Sequence, residues 1–419
     1  MPQLDTAPNP TQSAIARPPL QYLIIIEPLG LLYGSAGPFL SPQNLVGRSG
    51  SSFPPSAATL SGLFAAHANA SIPDPYERQE FIEPLQFAGP FWAKRNNPQN
   101  FLVPTPFNCI VKMDPDDRYQ KIPTLKTGKV KQKLFWYPEH QKWLTQCNAS
   151  PSGKFAKNSW IHVEDWNAIA FADWRWACPQ LAKKLTPKGK EVIITDWKVT
   201  DWPEVYGEPW EFMPHLHPRL KKDERRVVDP QDDDENNQGS LFLENGVQLH
   251  PDACLVYLAN AKIPNGCYRF GGEGHLVDVY CQNIGTYLQV LLSAPLGRSF
   301  ATITPTVWGS NRRSVRAPEC DEDGNLSWPD NSITTFLTQR PSVFRYRLGD
   351  STDTRPGAPK RLSRGRYAVP AGTVYVLEEV LKEEFNLWQK WPENWFPEEG
   401  ISYKRFGCGL SLPLHGAIA

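Results

Sequence analysis

Tyr22-Leu-Ile-Ile-Ile-Glu27, stopped by Pro28, is the stretch on which the fold turns. Three β-branched isoleucines in succession are stiff at χ1 and favour extended backbone. The run is too short for a buried helix and is closed by proline, so it predicts a buried β-strand. A loop punctuated by Gly30, Gly34, Gly37 and Pro38 follows it. Pro54-Pro55-Ser56 then introduces a helix over 57–68, with Ser56 at the N-cap. Strand, loop and helix in this order open a split β-α-β arrangement.

Working outward, residues 1–20 form a polar, flexible tail. Residues 86–137 suggest extended hairpins, with turn signals at Asn96-Asn97-Pro98 and Asp114-Pro115-Asp116-Asp117. Residues 158–184 have helical spacing and carry Trp160, Trp166, Trp174 and Trp176, best read as aromatic core. The acidic stretch 229–237 marks a linker or exposed loop. Beyond it, strands are expected at 240–244, 254–259, 274–280, 287–293 and 369–378, with polar loops at 309–332 and 349–366. A glycine-rich strand-turn, Phe406-Gly-Cys-Gly409, closes the chain. The pattern predicts two α+β domains meeting near residue 250.

Composition narrows the class. With 419 residues, 40% hydrophobic and 15 tryptophans, the chain can bury a large core and does not have the aromatic-poor make-up of disorder. Its 41 prolines fit strands broken by loops better than a helical bundle. Basic and acidic residues balance at 44 each, which argues against a free-standing, uniformly basic nucleic-acid binder. The charge is segregated, however: Arg118, Lys121, Lys126, Lys129, Lys131 and Lys133 run without an acid, while acids crowd 229–235. The eight cysteines include no CxxC pair, so free thiols in a reducing cytoplasm are expected rather than disulfides or zinc. No membrane span or secretory leader is expected.

The candidate chemistry is sparse. His215-Leu-His217 puts two imidazoles on one face of a strand, bracketed by Pro214 and Pro218 in a turn-like context. Such a pair suits a general base, half a metal site or an RNA contact, but no further ligand accompanies it at metal spacing. No cofactor is implied: there is no phosphate-binding GxxxxGK[ST] loop, and Gly272-Glu-Gly274 lacks the rest of a dinucleotide fingerprint. Gly271, Gly272 and Gly274 beside Arg269 and His275 would let backbone approach a phosphate chain or a neighbouring strand. Arg355, Lys360, Arg361, Arg364 and Arg366 form an acid-free loop whose guanidinium forks match phosphate oxygens. It is equally readable as solvated surface.

In order along the chain stand Glu27-Pro-Leu-Gly-Leu-Leu-Tyr-Gly-Ser-Ala-Gly-Pro-Phe39, Phe53-Pro-Pro-Ser-Ala-Ala-Thr-Leu-Ser-Gly-Leu-Phe64, His215-Leu-His217-Pro-Arg-Leu220 and Gly239-Ser-Leu-Phe-Leu-Glu244. Then come Arg269-Phe-Gly-Gly-Glu-Gly-His275, Arg366-Tyr-Ala-Val-Pro-Ala-Gly-Thr-Val-Tyr375 and Phe406-Gly-Cys-Gly-Leu410. Spread over residues 21–419, the series resembles the third-subunit family of the Cmr complex, the type III-B CRISPR effector, within the RAMP superfamily.

The resemblance implies an α+β fold of two ferredoxin-like, RRM-related domains, at 21–250 and 251–419, with an inserted β-hairpin thumb at about 86–137 and long loops. A Trp-rich insertion occupies about 140–210. The implied role is non-catalytic: gripping the 5′ tag of the CRISPR RNA and bridging the large polymerase-palm subunit to a backbone RAMP subunit, with target RNA met only indirectly. The RNA contacts implied fall on Gly34, Ser35, Gly37 and Ser56, on Lys94 and Arg95, and on His215, His217 and Arg219. Further along they fall on Arg269, Gly271, Gly272, Gly274 and His275, on Arg361, Arg364 and Arg366, and on Gly407 and Gly409. The alternative is a metal-independent RAMP endoribonuclease that processes CRISPR RNA precursors with His215 or His217 as general base.

Overall fold

The computed structural model describes residues 18–33, 53–114, 125–145, 150–152, 158–170, 202–218, 241–272, 274–309, 314–321, 325–346 and 363–414. The strands of the first part are β1 (Tyr22–Pro28), β2 (Leu32–Tyr33), β3 (Phe87–Lys94), β4 (Leu102–Pro104), β5 (Cys109–Met113), β6 (Thr127–Tyr137), β7 (Lys142–Thr145), β8 (Trp160–His162) and β9 (Glu204–Tyr206). A long ribbon, β10 (Trp210–Pro218) and β11 (Leu241–Leu249), leads into β12 (Ala253–Ala259), β13 (Gly266–Phe270) and β14 (His275–Asn283). The rest comprises β15 (Ser299–Thr302), β16 (Trp308–Gly309), β17 (Ser314–Val315), β18 (Glu319–Cys320), β19 (Leu326–Trp328), β20 (Asn331–Leu337), β21 (Ser342–Phe344), β22 (Arg366–Ala368), β23 (Val374–Leu377) and β24 (Ser411–Pro413). Among the described residues the α-helices are α1 (Ala57–Ser71), α2 (Pro75–Ile82), α3 (Trp166–Ala170) and α4 (Thr286–Leu292).

One large antiparallel sheet runs β13-β14-β1-β12-β3-β4-β8-β9-β6-β5, with β7 attached to β6. At its centre β1 and β3, joined through α1, flank β12, which is the split β-α-β arrangement expected from Tyr22 onward. From β12 to β14 the chain passes through the edge strand β13 instead of a helix. The strands β1 and β12 are buried without alternation, Leu23 to Ile26 and Ala253 to Ala259 being at most 6% exposed. The sheet is covered on both faces there. On one side α1 lays down Leu60 and Phe64, the latter edge-on to Phe87 with ring centroids 4.9 Å apart.

The C-terminal sheet, β18-β19-β20-β23-β15-β24, closes over an aromatic core in which Trp308, Trp328, Trp391, Phe300 and Tyr375 touch one another edge-on or stacked. It shares its hydrophobic core with the large sheet, which also carries a second, smaller cluster around Trp92, Trp160 and Trp210. Gly407 is left-handed (φ 74°) and sits so tightly on β3 that a Cβ there would lie 2.6 Å from the Phe87 carbonyl oxygen. The indole N–H of Trp166 donates to the Pro413 carbonyl at 2.7 Å, and the Arg405 guanidinium donates to the carbonyls of Leu85 and Ile82.

Several expectations are corrected. The division near residue 250 is not a division of sheets, because β12, β13 and β14 join the sheet of β1. Residues 287–293 are not a strand but lie mostly in α4: Leu288, Leu291 and Leu292 turn inward while Tyr287 and Val290 face out, a spacing that fits a period of 3.6 and not 2. The strand expected over 369–378 is broken by the turn at Pro370–Gly372, so β22 and β23 enter different sheets. Stretches expected as polar loop at 309–332 contain the short strands β17, β18 and β19. His215-Leu-His217 lies on a strand as expected, inside the nine-residue β10, and Pro214 and Pro218 make no turn there. The helix expected from 158 begins only at Trp166, after β8. The tail 1–17, residues 171–201 and the acidic stretch 229–237 lie outside the described residues. The class the structure supports is a mixed α and β fold, mostly antiparallel, with few helices.

Candidate nucleic-acid interface

Pairing brings distant motifs to one corner. Strand β2 adds to the β10–β11 ribbon, with Tyr33 opposite Gly246 and Leu32 opposite Val247. Gly246 in turn lies opposite Met213, and His215 opposite Glu244. A Cβ on Gly246 would meet the His215 ring at 3.3 Å and Leu31 at 3.2 Å, so both side chains close tightly over the bare backbone here. From β2 the Tyr33 ring reaches the His275 ring, centroids 4.6 Å apart and tilted by 47°. His275 begins β14, directly after the turn that carries Gly271, Gly272 and Gly274.

That turn needs its glycines. Gly271 (φ 80°) and Gly274 (φ 67°) are both left-handed, and the Gly274 N–H donates to the Gly271 carbonyl at 3.2 Å. The exposed Arg269 bends back over it, Nη1 donating to the Gly274 carbonyl at 3.4 Å. A Cβ on Gly271 would touch Thr59 Cγ2 at 4.0 Å, which sets the first turn of α1 beside the β13–β14 turn. Ser56 occupies the N-cap there as expected, but its side chain makes no capping hydrogen bond. The first turn is closed by the Thr59 N–H donating to the Ser56 carbonyl at 2.8 Å, and the positive end of the 15-residue helix dipole lies next to a glycine turn and an arginine. Such a corner is suited to an anion.

The face of the sheet opposite α1 meets this corner at the β13–β14 turn, where Arg269 lies opposite Leu276. Antiparallel register aligns Ile25 with Tyr280 and Glu27 with Asp278, and the Leu29 N–H donates to the Leu276 carbonyl at 3.1 Å. Leu29, Leu276 and Tyr280 are 57%, 51% and 43% exposed. Arg95 reaches across to this face and is ion-paired with Glu27, the hydrogen bond that holds its guanidinium above the ordinary arginine value.

Other implied contacts are placed elsewhere. Lys94 turns to the Tyr206 hydroxyl at 3.0 Å, whose phenol is pushed up by burial and then by Glu204. Arg366 is corrected outright: its side chain is 3% exposed, and it donates to Glu399 Oε1 at 2.6 Å and to the Tyr403 hydroxyl at 3.2 Å. It holds the C-terminal part together and cannot meet solvent phosphate. Arg364 keeps an exposed side chain while its backbone N–H donates to Glu399. Gly407 and Gly409 are likewise interior: the former is wedged on β3, the latter faces Thr306, Trp391 and Phe396. Gly34, Ser35, Gly37, Arg219, Arg361 and the side chain of His217 lie outside the described residues.

The exposed lysines Lys112, Lys129 and Lys131 of the β5–β6 hairpin lie at the far end of the large sheet. Nine strand spacings of ~4.8 Å separate its edge strands, roughly 40 Å along the sheet. Among the described residues, Cys109, Cys254, Cys267, Cys281, Cys320 and Cys408 are free thiols. No three His, Cys, Asp or Glu side chains gather there as a metal set. No described helix is long and apolar enough to cross a membrane.

Sequence reasoning singled out neither Tyr33 and Gly246 nor the Leu276–Tyr280 face. The alternation of Val277 and Val279 with Leu276, Asp278 and Tyr280 is a readable signal for the last of these.

No protein-family model matches the chain, and no curated protein does. Among solved structures it is similar to a chain of the cryo-EM structure of the type III-B Cmr-beta complex bound to cognate target RNA. The TM-score is 0.40 at 11% identity, over 84% of this chain and 86% of that one. The same complex with cognate target RNA and AMPPnP gives a TM-score of 0.41 at 10% identity, over the same shares. A chain of the Csm3–Csm4 subcomplex of the type III-A CRISPR-Cas interference complex gives 0.33 at 9%, over 86% and 94%.

Proposed function

We propose that this chain is a non-catalytic RAMP subunit of a type III CRISPR effector complex, of the kind that is third in the Cmr assembly. In this reading it grips the 5′ tag of the CRISPR RNA and bridges the large subunit to the backbone subunits. The seven-motif resemblance supplies the family. The observation that carries the site is the convergence of three motifs far apart in sequence: Tyr33 before the glycine-rich loop, His215 on the ribbon, and Arg269 to His275 at the β13–β14 turn. The positive end of the α1 dipole, the left-handed glycines and Arg269 suit phosphate oxygens. The imidazoles and Tyr33 suit bases or sugars. Neutral overall charge is compatible with a subunit whose other faces meet protein.

The test is co-purification from cells that carry the cognate CRISPR locus. The expected result is a small RNA with one uniform 5′ end, together with further RAMP subunits. RNA with scattered 5′ ends, or none, refutes the reading.

A further inference from the structure

We propose that the exposed corner of the large sheet beside the β13–β14 turn is a base platform, on which two or three bases of a single-stranded RNA lie with Tyr280 stacking under one of them. The inference rests on the RNA-gripping reading and adds where the bases go. Cross-strand partners share a face, so Leu29, Leu276 and Tyr280 form one strip with Glu27 and Asp278 between them. From Leu276 to Tyr280 the strip spans roughly 13 Å of strand. It begins where the glycine turn and Arg269 end.

The chemistry of the strip separates bases from backbone. Asp278 repels phosphate, which disfavours the sugar–phosphate chain over this face. A carboxylate does accept from the amino groups of bases, as in the carboxylate–cytosine pairing of groove readers. Glu27 is engaged by Arg95, while Asp278 faces Glu27 across the pair and Cys267 on the other side. Arg269 lies opposite Leu276 and so belongs to the same face as the strip; phosphates held by Arg269 at the turn, with bases on Leu276, Leu29 and Tyr280, satisfy both halves of the site. An aromatic ring gives stacking without sequence preference. Tyr280 is exposed on a strand whose opposite face, Val277 and Val279, is fully buried, so the ring is presented by rigid backbone.

The experiment measures binding of the full-length protein, at low salt, to a fluorescent 12-nucleotide RNA of mixed sequence and to an abasic 12-mer of equal charge. Wild type is expected to prefer the base-bearing oligonucleotide. Tyr280→Ala should weaken that binding roughly 5- to 140-fold, the range expected for one stacked base, and leave the abasic oligonucleotide unchanged. Tyr280→Phe should keep wild-type affinity within about twofold, which separates stacking from folding defects. If Tyr280→Ala binds the base-bearing RNA as wild type does, the platform is refuted while the gripping reading stands; a protein surface seated on this strip would give that result. If wild type binds both oligonucleotides equally well, the platform is likewise refuted, and the gripping reading stands or falls on the co-purified RNA.

Discussion

Replacing Gly407 by alanine tests whether this glycine is a weld or an RNA contact. Two costs can be worked from its surroundings. The residue is left-handed at φ 74°, which charges an L side chain roughly 1–2 kcal/mol. The added Cβ would also lie 2.6 Å from both the Phe87 carbonyl oxygen and the Ala88 Cβ, and would run into Ala88 Cα, so β3 itself must give way. Forcing an extra carbon into a packed interior adds about 1–3 kcal/mol. Together these are roughly 2–5 kcal/mol, a large part of a typical domain's stability of ~5–15 kcal/mol. Gly400 is the internal control: it is left-handed at φ 80° but has open space around its missing Cβ, so Gly400→Ala should lose only the conformational share. Equilibrium urea unfolding of the two variants beside wild type measures the difference. Gly407→Ala unfolding at the same urea concentration as Gly400→Ala would refute the close-contact argument. A stable Gly407→Ala protein that has lost RNA affinity would restore the glycine as an RNA contact.

Arg366→Ala is expected to destabilise by about 3–5 kcal/mol, because it strands Glu399 in a largely buried site, and to leave RNA affinity of the folded protein unchanged; lost affinity in a stable variant overturns that. Burial raises the Glu399 carboxyl, but the Arg364 backbone N–H, the Arg366 guanidinium and the Tyr403 hydroxyl outweigh it and hold the group below its ordinary 4.5. A depressed carboxyl contributes stability that is present above 4.5 and lost as the pH falls through the folded value. Acid unfolding should therefore be steeper for wild type than for Glu399→Gln, and parallel curves count against it. Arg269→Ala should lower the slope of log affinity against log salt by about one unit, as for one lost phosphate contact, and an unchanged slope removes Arg269 from the site. Replacing His215 and His217 together by alanine should leave single-turnover target cleavage by the assembled complex intact, since loss of a general base costs about 10²–10⁴ in rate; a drop of that size reinstates the enzyme reading.

Local chemistry made part of this protein legible from its sequence. The β-branched run at Tyr22 to Glu27, the Pro-Pro-Ser entry into α1 and the apolar run at Cys254 to Ala259 each state their conformation within a few residues. Steric restriction at χ1 and fixed proline φ act on the chain wherever it goes. The glycines of the β13–β14 turn were likewise readable as places where backbone must bend or approach closely. Segments whose conformation is set by what covers them were not. Thr286 to Leu292 has enough β-branched and aromatic character for a strand, and becomes helical in the structure, where Leu288, Leu291 and Leu292 are buried together. Arg366 belongs to an acid-free, arginine-rich stretch that matches phosphate oxygens, and Gly407 enters as a contact only through the family resemblance. Only the fold shows that Glu399 was waiting for the one and β3 for the other. The meeting of Tyr33, His215, Gly246 and His275 depends on strand pairings spanning more than two hundred residues, and no local signal encodes such a pairing. Sequence specifies what each short stretch prefers; which stretches become neighbours is fixed by burial of apolar surface summed over the whole chain, so the site exists only once the sheets have closed.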